Sequence, residues 1–140
     1  MAWMYNSSNG TLSHDGTVVT TESWSGHDAG RNNPAMEQDP GIGPIPRGYW
    51  QIGGAVDSQK LGPIAMPLSP CANPNDEFWI EAAQDLGVSI PPTNTFGRFG
   101  FWMHGAEFLN PEESSHGCII LPRAVRLEVS ISIDKVLEVV

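Results

Sequence analysis

The sequence has little of the chemistry that marks a disulfide-stapled, membrane-spanning or nucleic-acid-binding protein. Its 140 residues include two cysteines, Cys71 and Cys118, which are too few for a disulfide framework. Only seven residues are Lys or Arg, against sixteen Asp or Glu, and they form no basic cluster. A nucleic-acid partner is therefore not expected. No apolar run approaches the roughly 20 residues that a membrane span needs.

The N-terminal segment has neither the basic region nor the apolar run of a signal peptide. We therefore expect a chain that is made in the cytoplasm without a signal peptide. Its length is usual for one compact domain, and no repeat, linker or shift of composition divides it. A single domain over residues 1–140 is expected.

Fifteen glycines and twelve prolines break the chain into short pieces, which favours short strands and many turns. The strands predicted from apolar and β-branched runs are residues 3–6, 11–13, 17–21, 49–52, 99–103, 117–121 and 131–140, with an edge strand at 63–68. Helices are predicted over 73–86, ending at Gly87, and from Pro122 to about Val129. The fold class is therefore mostly β with one or two short helices.

One long segment, from Ser25 to Pro46, is rich in Gly, Pro and Asn and has no apolar periodicity. Loops of this length inside a small domain are usually functional or mobile. We call this segment the long loop and expect it to border the site.

Two residues with nucleophilic and basic side chains stand at the ends of apolar strands. His104 ends one predicted strand, and Cys118 opens another. If these strands are neighbours, the imidazole can remove the thiol proton and give the thiolate that a cysteine hydrolase needs. The backbone N–H groups of Gly117 and Cys118 could then stabilise a tetrahedral oxyanion. The pattern indicates acyl-transfer chemistry.

Other interpretations of the same residues stay open at this point. A cysteine in an apolar run is often a core residue, and a Cys71–Cys118 bridge is possible. His104, His116 and Cys118 could also hold a metal ion, but no fourth ligand has a suitable spacing.

The order of these motifs resembles a known enzyme family. His104, followed fourteen residues later by the Cys of Ser115-His116-Gly117-Cys118, is similar to the signature of L,D-transpeptidases. The upstream segment 43–52 resembles the Thr-Pro-x-Gly-x-Tyr/Phe strand that packs beside the active site in that family. A more specific resemblance, to type VI secretion L,D-transpeptidase-like antibacterial effectors, is carried from about Trp3 to the C-terminus by segments 25–26, 30–34, 43–48, 97–101, 104–105 and 117–121.

The resemblance implies a β-sandwich or barrel-like domain, a Cys118 nucleophile, a His104 base and no cofactor or metal. It implies that the substrates are peptidoglycan stem peptides, cleaved between meso-diaminopimelate and D-alanine or exchanged at that D-alanine. The implied partners are the type VI secretion machinery and a cognate immunity protein, and the implied place of action is the periplasm of a target bacterium. Housekeeping relatives usually have Asn or Arg where this chain has Ile120.

Further residues are expected around the nucleophile. Ser115, His116 and Gly117 should line the site or its oxyanion hole. The candidates for substrate binding are Arg98, Gly105, Tyr49, Arg31 and His27. Arg98 could bind a substrate carboxylate through its planar guanidinium, with an exposed turn arginine as the alternative.

Two rival functions remain. The chain could be a peptidoglycan-binding or effector-adaptor module that has lost its chemistry, although the intact His104 and Cys118 argue against this. A papain-like cell-wall peptidase is disfavoured, because its histidine follows its cysteine and no histidine follows Cys118 here.

Overall fold

The structure is a computed structural model, and it describes residues 2–106 and 114–140. These residues form ten strands and two α-helices. The strands are β1 (Trp3–Asn6), β2 (Thr11–His14), β3 (Thr17–Thr20), β4 (Trp24–Ser25), β5 (Gly48–Ile52), β6 (Val56–Ser58), β7 (Gly62–Cys71), β8 (Trp102–His104), β9 (Ile119–Ile120) and β10 (Val136–Val139). The helices are α1 (Glu77–Leu86) and α2 (Arg123–Ile131).

The strands form one connected sheet in the order β3-β2-β1-β10-β5-β7-β8-β9-β4, and β6 pairs with β7. Most neighbours are antiparallel, but β1 and β10 are parallel, and so are β8 and β9. Strand β7 joins two halves of the sheet, one from β3 to β5 in this order and the other from β8 to β4. Its C-terminal part pairs with β5, and the residues before that part pair with β8 and β6. The site described below lies on the β8–β9 half.

The core lies between the two halves of the sheet, which gives a sandwich-like domain and confirms the predicted mostly β class. Trp50 of β5 meets Phe101, just before β8, edge to face with ring centroids 5.0 Å apart. Alternate residues of β1 and of β10 are buried, as the two-residue period of a strand predicts. The buried apolar residues of this core include Trp3, Tyr5, Leu12, Ile45, Trp50, Met66, Met103, Ile119, Leu137 and Val139.

Both predicted helices are confirmed, and each starts and stops for local reasons. Asp76 caps α1 by accepting from the N–H of Trp79, and Gly87 ends it at φ 64°, a conformation that glycine adopts easily. Pro122 directly precedes α2. No helix within the described residues is both long enough and apolar enough to cross a membrane.

Four strand predictions need correction. The strand predicted over 117–121 is only the two residues of β9, Ile119–Ile120. The segment predicted as an edge strand lies inside β7, which has strands on both sides; its prolines lack N–H donors, but their carbonyls still accept, as Pro67 does from Gly53. The strand predicted over 99–103 is found later in the chain, as β8 over Trp102–His104. Gly100 has φ 79° and Phe99 is 92% exposed, so the residues before Phe101 lie outside the sheet. The last strand is also shorter, since α2 continues through Ile131.

The long loop packs through its backbone. It contains two short 3-10 turns, Asp28–Gly30 and Pro34–Met36. Gly43 is held so closely that a Cβ there would lie 1.9 Å from the carbonyl oxygen of Met36. The loop therefore has a specific conformation. It contacts the segment that precedes β9, where Ser25 donates to the Gly117 carbonyl.

Candidate active site

The pairing of β8 with β9 brings the predicted nucleophile and base onto one face of the sheet. The parallel register aligns Met103 with Ile119, and both side chains are fully buried in the core. Because side chains alternate along a strand, Trp102, His104 and Cys118 take the opposite face.

These three residues line a cavity of about 670 Å³. The other lining residues described by the structure come from the β6–β7 hairpin and from the segments around β8 and β9: Ser58, Gln59, Lys60, Leu61, Gly62, Gly100, Gly105, Ala106, Ser114 and His116.

The register also limits the separation of the two side chains. Cys118 directly precedes Ile119, the partner of Met103, and His104 pairs with the next residue of β9, Ile120. Diagonal neighbours on adjacent strands lie roughly 7–8 Å apart at Cα, within reach of long side chains. An imidazole and a thiol at these positions can therefore approach each other over the cavity.

His104 is almost fully buried, with 5% of its surface exposed, and its ring is oriented by the backbone. Its Nδ1 lies 2.8 Å from the carbonyl oxygen of Gly105. A carbonyl can only accept, so this contact assigns the proton of the neutral ring to Nδ1. Nε2 is then the basic nitrogen, the form that a general base requires.

The Cys118 thiol lies partly buried at the floor of the cavity, and its S–H faces the carbonyl oxygen of Gly100 at 3.6 Å. Burial raises the pKa of this thiol above its ordinary value, while the backbone N–H of Trp102 and the positive charges of Lys60 and Arg98 act in the opposite direction. The neutral thiol is therefore favoured at rest, and any reaction of this sulfur as a nucleophile would need a base to remove its proton.

Ser115 and Gly117 shape the turn that carries the thiol. The buried Ser115 hydroxyl donates to the Cys118 carbonyl at 2.5 Å and accepts from the N–H of Gly26 at 2.8 Å. Gly117 has φ 128°, and a Cβ there would lie 2.6 Å from the Arg98 guanidinium. Neither residue lines the cavity; both hold the Cys118 backbone from beneath.

Arg98 is placed differently from the sequence prediction. It is 8% exposed and lies below the cavity, with its guanidinium over the Phe101 ring at 5.1 Å. It donates to four backbone carbonyls, those of Glu37, Pro44 at 2.7 Å, Gly43 at 2.9 Å and His116 at 3.2 Å. These contacts use the guanidinium to bind the long loop to the Cys118 turn, and they give no support to a role in binding a substrate carboxylate.

The two other predicted histidines lie side by side. His116 lines the cavity, and its Nδ1 lies 3.0 Å from the Gly41 carbonyl. His27 packs edge-on against it with ring centroids 4.9 Å apart, and its own Nδ1 lies 2.9 Å from the Ser115 carbonyl. His27 is not among the lining residues, so it supports the rim from the long loop.

Of the remaining predicted residues, one lines the cavity and two do not. Gly105 lines the cavity beside His104. Arg31 stacks over the Trp24 ring at 4.5 Å, and Tyr49 pairs with Cys71 of β7 and Glu138 of β10. Neither Arg31 nor Tyr49 lines the cavity, which gives no support to their predicted substrate-binding roles.

One wall of the cavity escaped the sequence analysis. The β6–β7 hairpin contributes five consecutive residues, 58–62, with Lys60 near its tip. The available signal was the local sequence Ser58-Gln59-Lys60-Leu61-Gly62, which suits a tight turn. Nothing in the sequence indicated which other strands this turn faces.

The structure bears on the disulfide and the metal site that the sequence left open. Both Cys71 and Cys118 are free thiols, so they do not form the bridge considered above. Within the described residues, one group of three candidate ligands has its atoms within 4.8 Å of one another: His14, Asp15 and Asp134. None of these residues lines the cavity, and His104, His116 and Cys118 do not form such a group.

Comparison with known protein families now bears on this arrangement. The sequence model of the Tlde1 domain matches residues 19–137, most of the chain. The chain belongs to the Tlde1 domain family. This is a family of type VI secretion L,D-transpeptidase-like effectors. No curated protein matches the chain in a sequence search. The matched range of the Tlde1 domain contains all the described cavity residues and leaves out β1 and β2.

The raised pKa of the thiol predicts how the Tlde1 domain reacts with an alkylating reagent. In a Cys71→Ala background only Cys118 can be labelled. The thiolate fraction, and with it the rate of labelling by iodoacetamide, should increase with pH with a midpoint above about 8.5, the value of an unperturbed cysteine. A midpoint well below that value would show instead that a thiolate–imidazolium pair already exists at rest.

The contacts of Arg98 predict a large structural cost when it is replaced. Arg98→Met should lower the free energy of unfolding by at least about 3 kcal/mol, because several buried carbonyls lose their donor. Arg123→Met is the matched control: Arg123 is exposed on α2, and exposed surface substitutions usually change stability by less than about 0.5 kcal/mol. Urea denaturation measures both, and equal losses would contradict the structural role of Arg98.

Proposed function

We propose that this Tlde1 domain is a cysteine acyl transferase that acts on peptidoglycan stem peptides. It cleaves the bond between meso-diaminopimelate and the terminal D-alanine of a tetrapeptide stem, or exchanges that D-alanine for another D-amino acid. One observation carries the proposal: His104 ends β8, Cys118 directly precedes the partner strand β9, and both residues line the same cavity, with His104 Nδ1 directed at the Gly105 carbonyl so that Nε2 is the basic nitrogen. No metal or cofactor is required.

The first half of the reaction forms an acyl-enzyme. His104 Nε2 takes the proton of the Cys118 thiol as the sulfur attacks the carbonyl carbon of meso-diaminopimelate. The tetrahedral intermediate collapses with cleavage of the C–N bond, and the leaving amine of D-alanine takes the proton back from His104. A thioester remains on Cys118.

The oxyanion contact is assigned to the backbone N–H of Cys118. The N–H of Gly117, the other expected donor, is directed at the Ser115 hydroxyl at 3.2 Å. A donor fixed in position before the reaction stabilises the developing charge without reorganisation. The hydrogen bonds of Ser115 keep the turn, and therefore this N–H, in place.

The second half decides the product. Water attacks the thioester, with His104 taking its proton, and a tripeptide stem is released. Alternatively, the amine of a free D-amino acid attacks, and the stem leaves with a new terminal residue. In both cases the thiolate leaves and is reprotonated through His104. Both products come from one intermediate, so the acceptor concentration should set their ratio.

The rival from another class is a non-catalytic module that binds peptidoglycan or adapts an effector for delivery. A binder needs a cavity but has no need of a nucleophile beside an oriented base. The oriented imidazole therefore favours the enzyme. The papain-like alternative needs a histidine after its cysteine, and no histidine follows Cys118 in this chain. The family match gives that alternative no support either.

The proposal extends to where the protein acts. We propose that residues 1–140 form one catalytic domain that is made in the cytoplasm, delivered by type VI secretion machinery and active in the periplasm of a rival bacterium. A producing cell then needs an immunity protein of its own. Membership of this effector family supports both the route and the substrate.

The chemistry predicts distinct products for three variants incubated with tetrapeptide muropeptides, with and without excess D-methionine. Cys118→Ala should abolish both trimming and exchange, since no other group can hold the acyl chain. His104→Ala should lower both by roughly 10⁴-fold or more, the scale seen when a nucleophile loses its base. Mass spectrometry of the products and of the acyl-enzyme reports each step.

Cys71→Ala is the matched control for these variants, because Cys71 is a free thiol that does not line the cavity. It should keep nearly full activity. Trimming by Cys118→Ala would refute the assigned nucleophile. Retention of muropeptides by the wild type without any change in their mass would favour the binding module.

The proposed place of action predicts that toxicity depends on the compartment. Wild type fused to an export signal should inhibit growth of a bacterium, whereas expression in the cytoplasm should be harmless, because the stem peptides lie outside the membrane. Exported Cys118→Ala controls for the burden of export. Equal harmlessness of the wild type in both compartments, with expression verified by immunoblot, would contradict the toxin proposal.

A further inference from the structure

We propose that Lys60 binds the carboxylate of the terminal D-residue, first on the D-alanine that leaves and then on the D-amino acid that enters. This inference rests on the proposed function and names the group that makes the enzyme act on a free C-terminus. It also assigns to Lys60 the choice between exchange and hydrolysis.

The position of Lys60 is defined by its turn. The Ser58 hydroxyl accepts from the N–H groups of Lys60 and Leu61 at 3.2 and 3.1 Å, which fixes the backbone between β6 and β7. Strand β7 in turn pairs with β8 through Met66 and Met103. The turn therefore lies across the cavity from β9, and Lys60 lines the same cavity as Cys118.

The charge of this wall is unusual for the chain. The protein has a net charge of −9, yet the described cavity lining contains no Asp or Glu and one permanently charged side chain, that of Lys60. Among residues 2–106 and 114–140, Lys60 forms no ion pair. An exposed ammonium beside a cavity whose described lining has no carboxylate attracts an anionic ligand group.

The chemistry of lysine suits a carboxylate that has to enter and leave. Its ammonium is a compact charge on a flexible stem and demands no fixed geometry, unlike the planar guanidinium of arginine. The nitrogen of the scissile bond belongs to the terminal D-alanine, whose carboxylate is free. In a free D-amino acid the attacking amine likewise shares its Cα with a free carboxylate. A cation at one side of the thioester can therefore orient both, while water gains nothing from it.

The test compares two substrates that differ only in the charge at the C-terminus: a tetrapeptide muropeptide with a free terminal carboxylate and the same molecule with a terminal carboxamide. Lys60→Gln should lower kcat/KM for the carboxylate by about 10-fold, the scale of one charge-assisted hydrogen bond, and leave the carboxamide nearly unchanged. Any indirect effect on the Cys118 thiol is common to both substrates and cancels in their ratio.

A second measurement follows the partition of the acyl-enzyme in increasing D-methionine. Lys60→Gln should need about 10-fold more D-methionine to give equal amounts of exchanged and hydrolysed stem, and Lys60→Arg should restore most of the preference. Arg123→Gln is the matched control, because it removes one exposed positive charge from α2, outside the cavity.

The possible failures are distinguishable. A wild type that forms no thioester with either substrate would contradict the proposed function itself. A wild type that forms the thioester, together with a Lys60→Gln variant of unchanged substrate ratio and unchanged partition, would overturn only the role of Lys60. Equal effects of Lys60→Gln and Arg123→Gln would overturn it too, since a general effect of net charge would then explain the result.

Discussion

The site depends on a single buried cation, the guanidinium of Arg98. Four carbonyls from two distant parts of the chain converge on it, and the Phe101 ring lies beneath. Carbonyls of the long loop and of the Cys118 turn would otherwise be costly to bury without donors. Because arginine stays protonated throughout the physiological range, this junction does not loosen with pH. The turn that carries Cys118 is thereby held by hydrogen bonds to the backbone, and no disulfide or metal is needed to explain its position.

The arginine and lysine side chains near the site differ in their burial and in their contacts. Two arginines, Arg98 and Arg126, are buried and donate to backbone carbonyls. Arg126 lies beside Gly105 and donates to the carbonyls of Leu121 and Pro63. The lysine at the cavity remains exposed. Between them lies a thiol whose ionisation is disfavoured by burial, next to an imidazole whose tautomer is fixed by a carbonyl. This arrangement favours the neutral form of the Cys118 thiol, the proposed nucleophile.

The sequence was informative where the signal is local. Asp76 and Gly87 bound a helix by their own chemistry, and the apolar runs before His104 and after Cys118 predicted strands. The pairing of the strands at His104 and Cys118 was a condition for proton transfer in the prediction from sequence, and β8 and β9 are indeed neighbours. The placement of Arg98, Tyr49 and Lys60 was not, because the direction of a side chain depends on partners dozens of residues away. A planar guanidinium suits a carboxylate and a group of carbonyls equally well, so residue type alone could not decide. The prediction of an edge strand over 63–68 was wrong because it considered only the N–H donors that prolines lack and not the carbonyls that still accept.

The central position of β10 has a consequence for how this domain acquires its fold. Residues 136–139 pair with β1 on one side and β5 on the other, with sequence separations that exceed 80 residues in both cases. Until this last strand is synthesised, β1 and β5 each present an open edge with unpaired backbone groups. Such pairings are slow to form because a long loop must close before any contact rewards it. Nascent chains should therefore pass through an aggregation-prone stage that only the final strand ends.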